Sequence, residues 1–247
     1  MRGRMGQMRA IGRLGGTAAW KVPDMIPWER LDTALVPGGG ELRLIRRGAE
    51  YAIMLGNNPL MNSRLSGSEE ALARLACTRL GARAAPIMLI GGLGMGFTLR
   101  AALAAFGQQA AVTVAELMPA VIGWARGPMA EVFAGCLEDP RVTLREADVG
   151  ALIRAARAAY DAILLDVDNG PEGLTRLGND ALYTLAGLRA AYAALRQGGV
   201  LAVWSQGPDP RFTERLHRAG FAAEEVKVRA DRGRRGSRHV IWLAARP

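Results

Sequence analysis

Asp166, Asp168 and Asn169 stand together in the run Asp166-Val167-Asp168-Asn169-Gly170-Pro171, the densest group of polar side chains in the chain. A carboxylate in such a place can take a proton from an attacking amine or hydroxyl. The same residue types also suit a simple turn, so turn chemistry is the competing reading. Upstream, Ile90-Gly91-Gly92-Leu93-Gly94-Met95-Gly96-Phe97 is a glycine loop between an apolar run and a helical pattern. Glycines there let the backbone turn sharply and approach a ligand without Cβ clashes, and a following helix turns its N-terminus to the same spot. Glu116-Leu117 lies twenty residues beyond Gly96. An acid at that spacing suits two ribose hydroxyls. Asp148-Val149 follows another apolar run; Asp148 can accept from an exocyclic amine of a base or cap the helix that begins at Val149. Trp204 fills the core or walls a pocket.

These residues need an element each to carry them. PIMLIGG is a short continuous apolar run of the kind found in buried parallel strands. AVTVAEL, RVTLREAD, DAILLDVD and VLAVWSQ follow as further strands. Helical patterns separate them: residues 97–106, PAVIGWARGPMAEVF, residues 149–159, and NDALYTLAGLRAAYAALRQGG with its C-cap at Gly198-Gly199. PRFTERLHRAG is a last helix, and FAAEEVKVRA with SRHVIWLAA makes a closing hairpin around RADRGRRGS. This alternation predicts an α/β fold: a doubly wound, mostly parallel seven-stranded sheet, Rossmann-like, with helices on both faces. Ligands bind such sheets at the carboxyl ends of the strands, where strand order reverses. Asp161 opens its strand and so belongs at the opposite end. Ahead of the sheet, ELRLIRRG and AEYAIML alternate as a β-hairpin. Asn57-Asn58-Pro59 breaks it, and a helix opens at Ser68-Glu69-Glu70 with Ser68 as N-cap. The expected divisions are a basic flexible arm at 1–24, a hairpin and helix unit at 25–82, and a nucleotide-binding sheet domain at 83–247. Met5, Met8 and Met25 are alternative starts.

Composition narrows the function classes. The chain has 247 residues, half of them hydrophobic and 22% charged, the make-up of a globular domain. The apolar stretches are all too short or too often interrupted to cross a membrane, and the basic start lacks the apolar core of a secretory signal. Cys77 and Cys136 match neither a metal spacing nor a disulfide scaffold, which fits a reducing cytoplasm. Two histidines, His217 and His239, exclude a His-rich metal site, and no G-x-S-x-G elbow supports a Ser-His-Asp triad. The net charge of +9 raises the question of a nucleic-acid partner. Only Lys21 and Lys227 are lysines, however, and the arginines gather at the chain ends without interleaved aromatics. That pattern argues for compositional bias over nucleic-acid binding.

A glycine loop and two acids at successive strand ends suit an adenosine ligand. NAD is one candidate, but Gly92-x-Gly94-x-Gly96 departs from G-x-G-x-x-G and takes the G-x-G-x-G form of S-adenosylmethionine enzymes. From about Glu41 onward the chain resembles the spermidine synthase (polyamine aminopropyltransferase) family of class I S-adenosylmethionine-dependent methyltransferase-fold proteins. The resemblance rests on SGSEEALARLA, IGGLGMG, VAEL, EADVGAL, DAILLDVDNGP and LRQGGVLAVWSQGP. It implies S-adenosylmethionine or its decarboxylated form as cofactor, a small-molecule acceptor and a homodimer. It assigns the cofactor to Gly91, Gly92, Gly94, Gly96, Glu116, Leu117, Asp148, Val149 and Asp166. Two family acids are absent: Gly94 occupies the place of the loop acid, and Asn169 that of the second acid of strand four, with Asp168 one residue early. Asp166 and Asp168 are the catalytic candidates, and Asn169, Trp204 and Tyr51 the substrate-binding ones. A polyamine needs a carboxylate-lined groove. The losses therefore favour methyl transfer with a strand-four carboxylate as base, ahead of aminopropyl transfer to a polyamine and of a non-catalytic adenosine-binding protein. The full cofactor also needs a partner for its carboxylate, and Arg64, Ser66 and Ser68 are the groups placed to supply it.

Overall fold

The computed structural model describes residues 26–36, 39–167, 181–231 and 237–247. The expected arm at 1–24, Asp168, Asn169 and the turn arginines Arg232, Arg234 and Arg235 lie outside the described residues. The main sheet has seven strands: β5 (Ile87–Gly91), β6 (Ala111–Glu116), β7 (Val142–Glu146), β8 (Tyr160–Leu165), β9 (Leu195–Ser205), β10 (Ala222–Arg229) and β11 (Arg238–Ala245). Their spatial order is β10-β11-β9-β8-β5-β6-β7. β5 to β9 run parallel, and β11 pairs antiparallel with both β9 and β10. The expected doubly wound sheet with an antiparallel closing hairpin is therefore present. The central strands IMLIG and YDAILL are buried almost throughout, because helices cover both faces. On one face pack α1 (Gly67–Leu80), α2 (Phe97–Ala105) and α3 (Pro119–Arg126); on the other, α5 (Val149–Ala155) and the helices Leu185–Ala194 and Pro210–Arg218.

The chain leaves β5 for β6 and β7 on one side, then crosses back to β8 and β9 on the other. The reversal falls between β5 and β8, and Asp166 N donates to Gly91 O there at 3.0 Å. The glycine loop and the Asp166 loop thus meet at the switch point. Asp161 sits at the opposite end of β8, as expected: its carboxylate accepts from Arg83, Arg196 and the Ile87 N–H, and the residue is 2% exposed. It fastens three segments away from any ligand. Asp161→Ala is expected to lower stability by about 2–3 kcal/mol in urea unfolding, with ligand affinity unchanged.

Several elements differ from the sequence expectation. The N-terminal unit is a four-stranded antiparallel sheet, β1 (Glu29–Leu35), β2 (Glu41–Arg47), β3 (Glu50–Leu55) and β4 (Asn58–Asn62), with the expected hairpin as its centre. β1 carries no apolar alternation, and β4 contains the Asn-Pro pair read as a break. The helix expected across residues 119–133 divides at Gly127-Pro128 into α3 and the short α4 (Ala130–Phe133). The helix expected to run to Gly198-Gly199 ends at Ala194, and Leu195 already pairs with Tyr160 as the start of β9. Gly198, at φ 69°, thus lies inside that irregular strand and caps no helix. The N-cap of α1 is Ser66, not Ser68.

Candidate active site

A cavity opens at the switch point. Its floor is the strand ends: Gly92, Gly94, Glu116, Leu117, Ala147, Asp148, Val149, Asp166 and Val167 all line it. Its roof comes from the N-terminal sheet, through Leu42, Ile53, Leu55, Leu60 and Met61, joined by Val36. An apolar roof over a carboxylate-bearing floor lowers the local dielectric and strengthens every charge interaction inside.

The glycine loop is shaped by contact. Gly92, at φ 88°, runs so close to Asp166 that an added Cβ would lie 2.4 Å from the Asp166 carbonyl oxygen. Gly96, at φ 75°, lies against Phe133, 2.6 Å from where its Cβ would stand. Gly94, at φ 51°, faces the Met61 sulfur, 3.3 Å from such a Cβ. A side chain at Gly94 would be strained at this φ and would need Met61 to give by a few tenths of an ångström. Gly91 ends β5 and is packed against Val149 and Leu165.

Glu116, 8% exposed, accepts from Leu93 N at 2.9 Å through Oε2 and from Met118 N at 2.8 Å through Oε1. It therefore fastens the glycine loop to the end of β6 and lines the cavity. Glu116→Gln replaces one acceptor by a donor that opposes a backbone N–H. Adenosine-ligand affinity is expected to fall about tenfold or more by calorimetry. Asp148 caps α5, accepting from Gly150 N at 2.8 Å and Ala151 N at 3.2 Å, and Arg154 lies 3.2 Å from Oδ2. The capping reading of Asp148 is realised, and the side chain also borders the cavity.

Asp166 is a strongly perturbed acid. Its Oδ2 accepts from Thr98 Oγ1 at 2.6 Å. Its pKa is raised to about 7, chiefly by burial and then by the nearby Glu69 carboxylate, against the lowering pull of the Thr98 hydrogen bond. A carboxyl group poised near neutrality can take and release a proton under working conditions. Glu69 comes from the first turn of α1, and burial raises its pKa too, ahead of the opposing hydrogen bond from Ser68. α1 is pressed into place at its start: Gly67 N donates to Ala230 O at 3.0 Å, and a Cβ on Gly67 would lie 2.9 Å from the Asp231 carbonyl carbon.

Of the expected site residues, the structure gathers Gly92, Gly94, Glu116, Leu117, Asp148, Val149 and Asp166 around one cavity, with Gly91 and Gly96 shaping the loop behind it. Trp204, 9% exposed, ends β9 with its ring edge-on to His239 at 4.8 Å. Tyr51 departs from its expected role. It is 6% exposed within the core under β3, engages Arg46, and does not line the cavity. Tyrosine on an alternating strand faces the buried side by period alone. Asp168 and Asn169 lie outside the described residues. Sequence reasoning missed Thr98 and Glu69. Their only signal was the opening of two helices, which does not say what those openings face.

No family model matches the chain. Sequence comparison finds the polyamine aminopropyltransferase of Mycobacterium tuberculosis (strain CDC 1551 / Oshkosh), 36% identical over 152 residues, 58% of this chain and 28% of the relative. The polyamine aminopropyltransferase of Nitrosomonas europaea is 36% identical over 99 residues, 39% of this chain and 28% of the relative. The matches thus span little more than a quarter of these relatives' length. Among solved structures, spermidine synthase from Thermotoga maritima superposes with a TM-score of 0.69 at 18% identity, covering 88% of this chain and 72% of that one. The fold is spermidine synthase-like. A spermidine synthase in complex with the transition-state analogue AdoDATO gives 0.70 at the same identity and coverage. The wider methyltransferase-type architecture is seen in a precorrin-6y C5,15-methyltransferase from Geobacter metallireducens, with a TM-score of 0.50 at 16% identity, over 70% of this chain and 86% of that one. The spermidine synthase-like fold accounts for both sheets, with the seven-stranded sheet supplying the strand ends and the small antiparallel sheet roofing them. Among the described residues no group of His, Cys, Asp and Glu is arranged to hold a metal ion. No helix there is long and apolar enough to cross a membrane.

Proposed function

We propose that the protein is a transferase that moves an aminopropyl group from decarboxylated S-adenosylmethionine to a polyamine-type amine, working as a homodimer in a reducing cytoplasm. This ranking inverts the sequence-based preference for methyl transfer. The observation that carries it is the charge of the cavity. Among the described residues its charged lining is Glu116, Asp148 and Asp166, all carboxylates. The three groups placed to receive the carboxylate of the full cofactor are committed elsewhere: Arg64 to Glu50 at 3.8 Å, Ser66 to Glu70 at 2.9 Å and Ser68 to Glu69 at 2.6 Å. Such a wall repels a carboxylate and attracts a sulfonium or an ammonium. The sequence similarity to polyamine aminopropyltransferases supports the same reading.

The residues fit an adenosine-bearing sulfonium. The loop offers a side-chain-free cradle at Gly92 and Gly94, and Glu116, Asp148 and Val149, which line the cavity, would hold the ribose and the base. When bound, that group supplies an electrophilic carbon whose bond to sulfur breaks on attack. The chain's own share is alignment and proton transfer. Asp166 takes the proton that the attacking amine gives up, and Thr98 fixes the carboxyl's orientation. The apolar roof would keep water from a bound sulfonium.

The test is to incubate purified protein with an α,ω-diamine and either donor, and to weigh the products by mass spectrometry. Aminopropylated diamine from the decarboxylated donor alone is expected. A methylated product from the full cofactor overturns the proposal in favour of methyl transfer, and binding of both donors without product leaves a non-catalytic binder. Light scattering at working concentration tests the homodimer.

A further inference from the structure

α2 opens directly behind the glycine loop, with Gly96 as its N-cap and Phe97 as its first residue. Thr98 follows, 3% exposed, between Phe97 and Leu99 in a helix whose other buried side chains are apolar. A valine would fill the same space without burying a polar group, so the hydroxyl calls for a partner. Its Oγ1 donates to Asp166 Oδ2 at 2.6 Å and lies 3.4 Å from the Glu69 carbonyl oxygen. The shorter contact has the length of a hydrogen bond to an ionised oxygen.

Asp166 lines the cavity, and among the described residues Thr98 is the side chain that donates to its carboxylate; none there donates to Oδ1. The charged groups around Asp166 cannot take over that task. Glu69 stands on α1, Glu116 ends β6 and Asp148 caps α5. All three are carboxylates, which accept when ionised and have nothing to donate. A threonine hydroxyl has a single proton. With that proton on Oδ2, the two carboxyl oxygens become unequal: one is held from α2, and the other is left to a ligand. A hydrogen bond to the charged form of an acid favours that form, so the same contact offsets part of the cost of ionising Asp166 in a buried place.

We propose that Thr98 is the positioning residue of proton transfer: its hydroxyl holds Asp166 Oδ2 and leaves Oδ1 as the oxygen that takes the amine's proton. The assignment rests on the reading of this site as an amine-accepting transferase. As the nitrogen lone pair bonds to carbon, the electrons of the carbon–sulfur bond go to sulfur. An N–H bond breaks, its electrons stay on nitrogen, and the proton passes to Oδ1. Oδ2 is then the carbonyl oxygen of a neutral carboxyl and still accepts from Thr98, so the acid keeps one orientation in both protonation states. Thr98 itself stands behind the cavity lining and acts through Asp166.

The experiment follows kcat/KM for 1,4-diaminobutane, with decarboxylated S-adenosylmethionine as donor, across about pH 5.5 to 9.5. It compares the wild type with Thr98→Val, Thr98→Ala and Thr98→Ser, each checked for folding by circular dichroism. Thr98→Val is expected to move the rising limb up from about 7 by roughly one pH unit, the scale for losing a hydrogen bond to a charged group. At pH 7 kcat/KM then falls roughly five- to tenfold, and most of it returns at pH 9. Thr98→Ala, which also lacks the hydroxyl, shows the same shift, and Thr98→Ser restores the wild-type limb. The KM for the donor stays within about twofold. Carbon-13 spectra of protein labelled at the aspartate carboxyls read the same titration without turnover, with the Asp166 signal assigned by its loss in Asp166→Asn. An unmoved midpoint in folded Thr98→Val and Thr98→Ala, or a loss of equal size at every pH, overturns the role of Thr98 and leaves the transferase reading standing. A Thr98→Ser protein that shifts as far as Thr98→Val overturns it as well. Absence of transfer by the wild type overturns the transferase reading and this role with it, even where the carbon-13 titration moves.

Discussion

Asp166→Asn is expected to lower aminopropyl transfer by about 10²- to 10⁴-fold, the range lost when a positioned acid–base group is removed. In the wild type kcat/KM rises with pH through about 7, because only the ionised carboxyl can accept the proton and burial beside Glu69 delays its ionisation to that point. The variant loses this limb. The substitution also has an opposite effect on stability. The folded pKa of Asp166 lies above its unfolded value of 3.8, so the native state binds this proton more tightly than the unfolded chain. That advantage is fully present below pH 3.8 and is lost as pH rises through about 7. Above pH 7 the native state therefore carries a buried charge that the variant lacks. Asparagine keeps an oxygen for the Thr98 hydroxyl. Asp166→Asn should raise Tm at pH 8.5 by several degrees relative to the wild type, with a smaller difference at pH 5. A loss of activity accompanied by a lowered Tm at both pH values would mean that Asp166 is structural.

Gly92→Ala carries the second large expectation. Two independent penalties fall on one methyl group. At φ 88° an L side chain is strained, at roughly 1–2 kcal/mol. The Cβ would also stand 2.4 Å from the Asp166 carbonyl oxygen, a backbone atom that cannot rotate away. Relief requires the glycine loop and the Asp166 loop to separate, which breaks the Asp166 N to Gly91 O bond at the switch point. A loss of about 3 kcal/mol or more is expected, lowering Tm by roughly 6–12 °C for a domain of this size, together with adenosine-ligand binding. Gly107 is the control: a Cβ there meets nothing within 4 Å, and Gly107→Ala should leave Tm and binding unchanged. A Gly92→Ala protein that binds an adenosine ligand normally would show that the two loops are not held together by this contact.

The parts of this molecule that were legible in the sequence are those where local pattern and global role coincide. IMLIG and the AILL of β8 are apolar throughout because helices cover both faces, and the glycine loop follows its strand because a backbone must pass close to another there. Where the two diverge, the reading failed. β1 is written ERLDTAL, without alternation, because much of it is exposed and backbone pairing with β2 defines it. Residues 195–199 continue the amphipathic pattern of the preceding helix, yet Leu195 pairs with Tyr160; tertiary pairing overrides local propensity. In the site, acids at strand ends were recognisable from spacing. The proximity of Glu69 to Asp166 was not, since the two are far apart in the chain and only the packing of α1 on the sheet joins them. Tyr51 failed for a related reason: an aromatic on a strand is as well explained by the core, and here the core claims it.

The roof of the cavity has a consequence for the hold of one sheet on the other. Leu42, Ile53, Leu55, Leu60 and Met61 belong to the first strands of the chain, whereas the floor belongs to β5, β6 and β8, which follow α1. Neither wall encloses a nucleoside alone. A ligand lodged between them bridges two separately written sheets and stabilises their contact. Amide hydrogen exchange in β2 and β3 is then expected to slow when an adenosine ligand binds.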